Sequence, residues 1–166
     1  MALDCERILT EFGECLARVS IVNYYGNVVF DTLVRPSAKV FDYREWITGI
    51  KPMDLKHAPS HSKIAPIVRN NKVNLIKLRK ILDGKIIVGH SLQEDFFALK
   101  LNDQETQCEV REISEFKIFK RPCFAYKRTP NFSGNIKSNY INEDEVIGYE
   151  KRKLKELARE YLNASI

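Results

Sequence analysis

The chain has 166 residues, 44% of them apolar and 30% charged, and its 27 basic and 22 acidic side chains leave a net charge of +5. That is apolar material for one domain core, with charges spread along the chain, which excludes a disordered tail-like protein, a coiled coil and a collagen-like chain. The apolar runs are short, as at Ile86-Ile87-Val88, and Asp4 and Glu6 follow Met1 almost at once, so a membrane helix of ~20 apolar residues and a secretory leader are both excluded.

The mild basic excess is compatible with a polyanionic partner without identifying one. Cys5, Cys15, Cys108 and Cys123 show neither CxxC pairing nor regular spacing, which reads as reduced thiols of an intracellular protein.

Taken in chain order, Ala2 to Glu6 reads as a short first strand. Leu16–Tyr25 and Asn27–Val34 are β-branched and aromatic runs split by Tyr25-Gly26-Asn27, a hairpin signal. Residues 36–60 carry Pro36, Gly49, Pro52 and Pro59 and read as a loop with short helical turns. From Ser60 to Leu82 the apolar spacing becomes helical, interrupted at Asn70-Asn71. Lys85–Gly89 reads as a buried strand. Ser91 offers an N-cap with Glu94 three residues on, for a helix that carries Leu92, Phe96 and Leu99 on one face. Cys108–Ile113 reads as a further strand, and Thr129–Gly148 as part of a long loop or insertion spanning 129–150. Leu154, Leu157, Ala158, Tyr161 and Leu162 form the apolar stripe of a last helix over 151–162. Strands followed by strand–helix alternation make a mixed α/β domain covering 1–166.

Three places hold chemistry. Residues two apart on a strand share a face, so Asp4 and Glu6 project together while Cys5 points the other way. Adjacent carboxylates repel unless solvated or bridged, and a hard divalent ion with oxygen ligands is the natural bridge. Asp95 lies near the start of the helix that follows Val88-Gly89-His90, where a third carboxylate near a strand end would extend such a site. Phe116–Arg128 interleaves Lys117, Lys120, Arg121, Lys127 and Arg128 with aromatic residues. This is either a phosphate- and base-contacting surface or a packed cluster covered by its bases. Pro59 argues against His57 and His61 as a helical metal pair. No phosphate-binding glycine loop, nucleophile elbow or dinucleotide turn is present.

These segments together resemble a known family. Ala2-Leu3-Asp4-Cys5-Glu6 is similar to the first motif of the DEDD-type 3′→5′ exonucleases, and Ile87-Val88-Gly89-His90 with Asp95-Phe96 is similar to the second. Leu16–Asn23, Val28–Pro36, Asp42-Tyr43-Arg44 and Thr48-Gly49-Ile50 resemble the RNA exonuclease 4-like branch. So do Arg111-Glu112-Ile113-Ser114 and Lys153–Ala158, all in the family's order.

The resemblance implies a ribonuclease H-like fold, a central mixed five-stranded sheet in the order 3-2-1-4-5 flanked by helices. It implies stepwise hydrolysis of single-stranded RNA or DNA from the 3′ end with two divalent ions, Mg²⁺ or Mn²⁺. Asp4, Glu6 and Asp95 then occupy three of four carboxylate positions as catalytic and metal-holding residues, with Arg7, Arg44 and His90 as substrate contacts. A nuclear or nucleolar location follows from the family alone.

The sequence departs from the family in three ways. Arg7 stands in place of a methionine, and Glu112 where an aspartate is common. The last motif, a histidine with an aspartate four residues on, is missing after the Lys151 helix. Glu143, Asp144, Glu145 and Glu150 lack its spacing. The chain therefore reads as C-terminally truncated, and the alternative to an exonuclease is a catalytically impaired, nucleic-acid-binding relative.

Overall fold

The computed structural model describes residues 1–60, 78–101, 106–124, 126–130, 136–140 and 146–165. Most of the helical stretch expected over 60–82, with His61, lies outside these residues, as do Glu143, Asp144 and Glu145. The chain divides into two compact units, Met1–Glu112 and Ile113–Ile166.

The first unit is a mixed sheet. Strands β1 (Ala2–Thr10), β2 (Gly13–Val22) and β3 (Val28–Leu33) pair antiparallel. A second, parallel edge is formed by β5 (Ile86–Gly89) beside β1 and β6 (Glu109–Glu112) beside β5. The spatial order β3-β2-β1-β5-β6 is the one the resemblance implies. A short β4 (Val40–Asp42), which the proline-bearing segment hid from the sequence reading, adds a sixth strand against the far half of β1. The β2–β3 turn closes on Asn23, whose Oδ1 accepts from the amides of Tyr25 and Asn27, both at 2.9 Å; Gly26 supplies φ +79°.

Strand alternation divides the apolar residues between two faces. On one face Leu3, Cys5, Leu16, Val19 and Ile21 pack with Leu78, Leu82 and Ile87, and with Leu92, Phe96 and Leu99 of helix α3 and its C-cap. Helix α3 spans Leu92–Ala98, and its predicted apolar face is the buried one. On the other face Ile8 and Ala17 pack with Ile50, Leu55 and Ala58, which come from the segment holding α1 (Glu45–Thr48) and α2 (Pro52–Lys56). Pro52 starts α2 where no amide partner is needed, and the Asp54 carboxylate accepts the Lys51 amide at 2.8 Å.

Helix α3 is capped differently from the sequence expectation. Ser91 sits in the left-handed region at φ 64° and its side chain makes no cap bond. Instead the Glu112 carboxylate on β6 accepts the Ser91 amide at 2.9 Å and the Leu92 amide at 2.7 Å. A serine hydroxyl can reach one amide of its own helix; a carboxylate from the neighbouring strand satisfies two and adds a favourable charge at the helix start.

In the second unit β7 (Lys120–Phe124) pairs antiparallel with β10 (Val146–Lys151), and β8 (Tyr126–Pro130) with β9 (Ile136–Tyr140). The stretch that reads as a loop in sequence therefore carries strands. Its polar, Gly- and Asn-bearing composition disguises a pairing set by backbone hydrogen bonds. Helix α4 (Leu154–Leu162) buries Leu157 and Ala158, while Leu162 at the end of the same stripe stays 75% exposed. Phe119 meets Tyr161 edge-on at 5.2 Å, and Lys117 lies 4.8 Å over the Tyr149 ring. Lys120 pairs with Glu115 at 2.7 Å, and Arg121 with Glu156 at 2.9 Å and Glu150 at 3.3 Å. From Phe116 to Arg121 the bases Lys120 and Arg121 are thus paired with acids, while Phe116 and Ile118 stay exposed.

Candidate metal centre on the carboxylate face

Asp4 and Glu6 leave β1 on the face opposite Cys5, Asp4 exposed and Glu6 half-buried. Asp95 reaches β1 from α3 and is only 5% exposed. Its carboxyl accepts the Cys5 backbone amide and also engages the Cys5 thiol. Burial, then the charge of Asp4, pushes the Asp95 carboxyl up to about 7, against the pull of Arg7 and the Cys5 amide. Burial and then Asp4 likewise raise Glu6, while burial and then Asp95 raise the Cys5 thiol, which stays protonated. Asp4 is thus the negative charge that the other two carboxyls share.

The cation on this face is Arg18, which the sequence reading did not single out. It lies directly across the strand pair from Glu6 and lowers the Glu6 pKa. Its Nε and Nη2 donate to Asp31 at 2.8 and 2.6 Å, and the Ser20 hydroxyl donates to the same carboxylate at 2.9 Å. The Arg18 hydrogen bond holds Asp31 below its ordinary pKa. Beyond Arg18 a cavity of about 610 Å³ opens, lined by Asp31, Thr48, Asp54, His57 and Pro59 among others.

The three expected substrate contacts are engaged as follows. Arg7 is registered opposite Leu16, on the α3 side of the sheet. It pairs with Glu94 and, at 2.9 Å, with Glu14. Arg44, in the left-handed region at φ 49°, binds the same Glu14 at 2.7 Å. Glu14 therefore ties the two arginines together. Arg7 and Glu14 line a second cavity of about 550 Å³ with Phe12, Phe97 and Lys100. His90 stands in the β5–α3 turn, its Nδ1 3.5 Å from the Ser91 hydroxyl.

Comparison with known proteins decides the family. No family model matches the chain. It is 46% identical over 120 residues to RNA exonuclease 4 of Mycosarcoma maydis, covering 70% of this chain and 29% of that protein. It is 37% identical over 134 residues to RNA exonuclease 4 of Saccharomyces cerevisiae, covering 79% and 42%. The chain belongs to the RNA exonuclease 4-like DEDD exonucleases. The DEDD exonuclease fold is matched by the Neurospora crassa Pan2 catalytic unit (protease and nuclease domain), with a TM-score of 0.60 at 22% identity over 99% of this chain and 23% of that one. This chain spans less than half the length of these relatives.

Membership in this exonuclease family carries divalent-metal dependence with it. The donor set suits a hard cation: three carboxyls, two of them raised by burial and then by the charge of the third. Among the described residues no three His, Cys, Asp or Glu side chains are already gathered into a coordination cage. The oxygen donors of Asp4, Glu6 and Asp95 fit such an ion by chemistry.

Proposed function

We propose that this chain is a 3′→5′ exonuclease domain acting on single-stranded nucleic acid, RNA in preference, with Mg²⁺ or Mn²⁺ held by Asp4, Glu6 and Asp95. The observation that carries the reading is the gathering of carboxyls around Cys5: Asp4 and Glu6 flank it on β1, and buried Asp95 of α3 takes its amide, with burial and then the charge of Asp4 raising both Glu6 and Asp95. Such repulsion is relieved by a cation and has no use in a purely structural strand end. The names of the relatives support RNA as substrate. A divalent ion held by Asp4, Glu6 and Asp95 would activate water and neutralise charge on the scissile phosphate. The residues of the chain do the rest. Glu6 and Asp4 offer ligand oxygens from one rigid strand, and the Cys5 amide fixes the Asp95 carboxyl. Arg18, braced by Asp31 and Ser20, offers a positive edge along which the strand enters the cavity beyond it.

The test is a time course on 3′-labelled and 5′-labelled single-stranded RNA with Mg²⁺ or Mn²⁺, beside the Asp4→Ala/Glu6→Ala double variant. Stepwise shortening from the 3′ end that vanishes in the variant is the expected result; retained RNA binding without cleavage overturns the proposal in favour of a binding module. For the entry path, Arg18→Ala should weaken metal-free RNA binding by about tenfold and flatten its salt dependence by roughly one phosphate contact. Unchanged affinity at low salt would remove Arg18 from the path.

A further inference from the structure

Glu112 is the last residue of β6, in parallel register with Gly89 at the end of β5. Its two carboxylate oxygens take the amides of Ser91 and Leu92, so both bonds fall on the turn that launches α3. In that turn Ser91 is left-handed and has no side-chain cap of its own, so the carboxylate supplies the cap. Asp95 lies one helical turn further along, and its carboxyl is caught on the opposite side by the Cys5 amide of β1. Helix α3 therefore spans the end of β5, gripped by β6 at its first residues and touching β1 through Asp95.

We infer that Glu112 is a positioning residue that sets where Asp95 stands relative to Asp4 and Glu6, and hence how tightly the three can hold a divalent ion. This rests on the metal reading proposed above. The physical reason is leverage. With 1.5 Å of rise per residue and only seven residues, α3 is short enough that any slip of its first turn, which Glu112 caps and Leu92 packs, carries Asp95 with it.

The experiment titrates Mn²⁺ into the full chain and into Glu112→Gln and Asp95→Asn by electron paramagnetic resonance, well below each melting temperature. Hydrogen exchange of the Ser91 and Leu92 amides is followed in parallel. Glutamine keeps the shape and replaces one acceptor with a donor, so Mn²⁺ affinity should fall about tenfold while the two amides exchange faster. Faster exchange with parental Mn²⁺ affinity would show a cap and nothing more, and overturns the inference. If Glu112→Gln does not fold, Glu112→Asp is judged by the same two readouts. Parental affinity in Asp95→Asn would sink the metal reading itself, and this inference with it. Loss in Asp95→Asn with no change at Glu112 sinks the inference alone.

Discussion

At pH 8 in the presence of a chelator, Asp95→Asn should melt at a higher temperature than the parent chain, and the difference should close as the pH is lowered towards 4. Asp95 has an ordinary carboxyl value of 3.8 when unfolded and is pushed up to about 7 in the fold by burial and then by Asp4. An acid that binds its proton better when folded stabilises the fold fully below the lower value, and that stability drains away as the pH rises through the upper one. The gap corresponds to at most about 4 kcal/mol, a large share of a domain's net stability. Asparagine keeps an acceptor for the Cys5 amide and carries no charge to desolvate, so the slope between pH 4 and 7 should go with it. Mg²⁺ or Mn²⁺ should narrow the difference at pH 8: it stabilises the parent, by about 2.7 kcal/mol at a hundred times its dissociation constant, and leaves the variant unmoved. Thermal melts across pH, with and without metal, check both halves. Parent and variant tracking each other from pH 4 to 8 would show that Asp95 carries no such strain.

The second large effect is expected at Gly89. A Cβ there would meet Leu92 Cγ at 2.7 Å, with its Cδ2 methyl closer still, and the Leu3 carbonyl oxygen at 2.9 Å. Leu92 is 1% exposed and Leu3 2%, so neither can step aside into solvent. Gly89→Ala should therefore push α3 away from β1, costing about 1–3 kcal/mol and lifting Asp95 off the Cys5 amide. Metal affinity should fall much further than stability does, because the ligand moves while the sheet survives. Chemical denaturation together with a Mn²⁺ titration reads the two separately. A parental titration in a destabilised Gly89→Ala chain would show that the contact packs the core without placing the acid.

The periodicities were sufficient to find most of the first unit. Alternation in β1 and β2, the Asn23–Asn27 turn and the Leu92, Phe96, Leu99 spacing each come from local rules that tertiary contacts reinforce. Strand β4 was not legible because three residues among prolines have no period to show. The strands between 120 and 151 were hidden because polar residues pair through backbone amides regardless of their side chains. In the candidate site, Asp4 and Glu6 share a face by strand geometry alone, and the strand–helix pattern offered Asp95, which the family likeness joined to them. Arg18 could not be found in that way. From the β1–β2 turn, where Thr10 faces Gly13, an unbroken register would set Ala17 against Glu6. A shift between Glu6 and Arg7 brings Arg18 there instead. A bulge inserts one residue and changes which neighbour a side chain meets.

What the sequence by itself determined is the set of chemical groups and their local direction: two carboxyls on one strand face, a third at a helix start, and the apolar residues that make a mixed sheet. Only the tertiary structure decided their company. It set Arg7 on the α3 side with Glu14, put Arg18 beside Glu6, and gave the start of α3 to Glu112 in place of Ser91. The physical reason is range. Propensity and periodicity act over a few residues, whereas the charges and hydrogen bonds that tune this site join residues from different strands and helices and exist only once the strands have chosen their register.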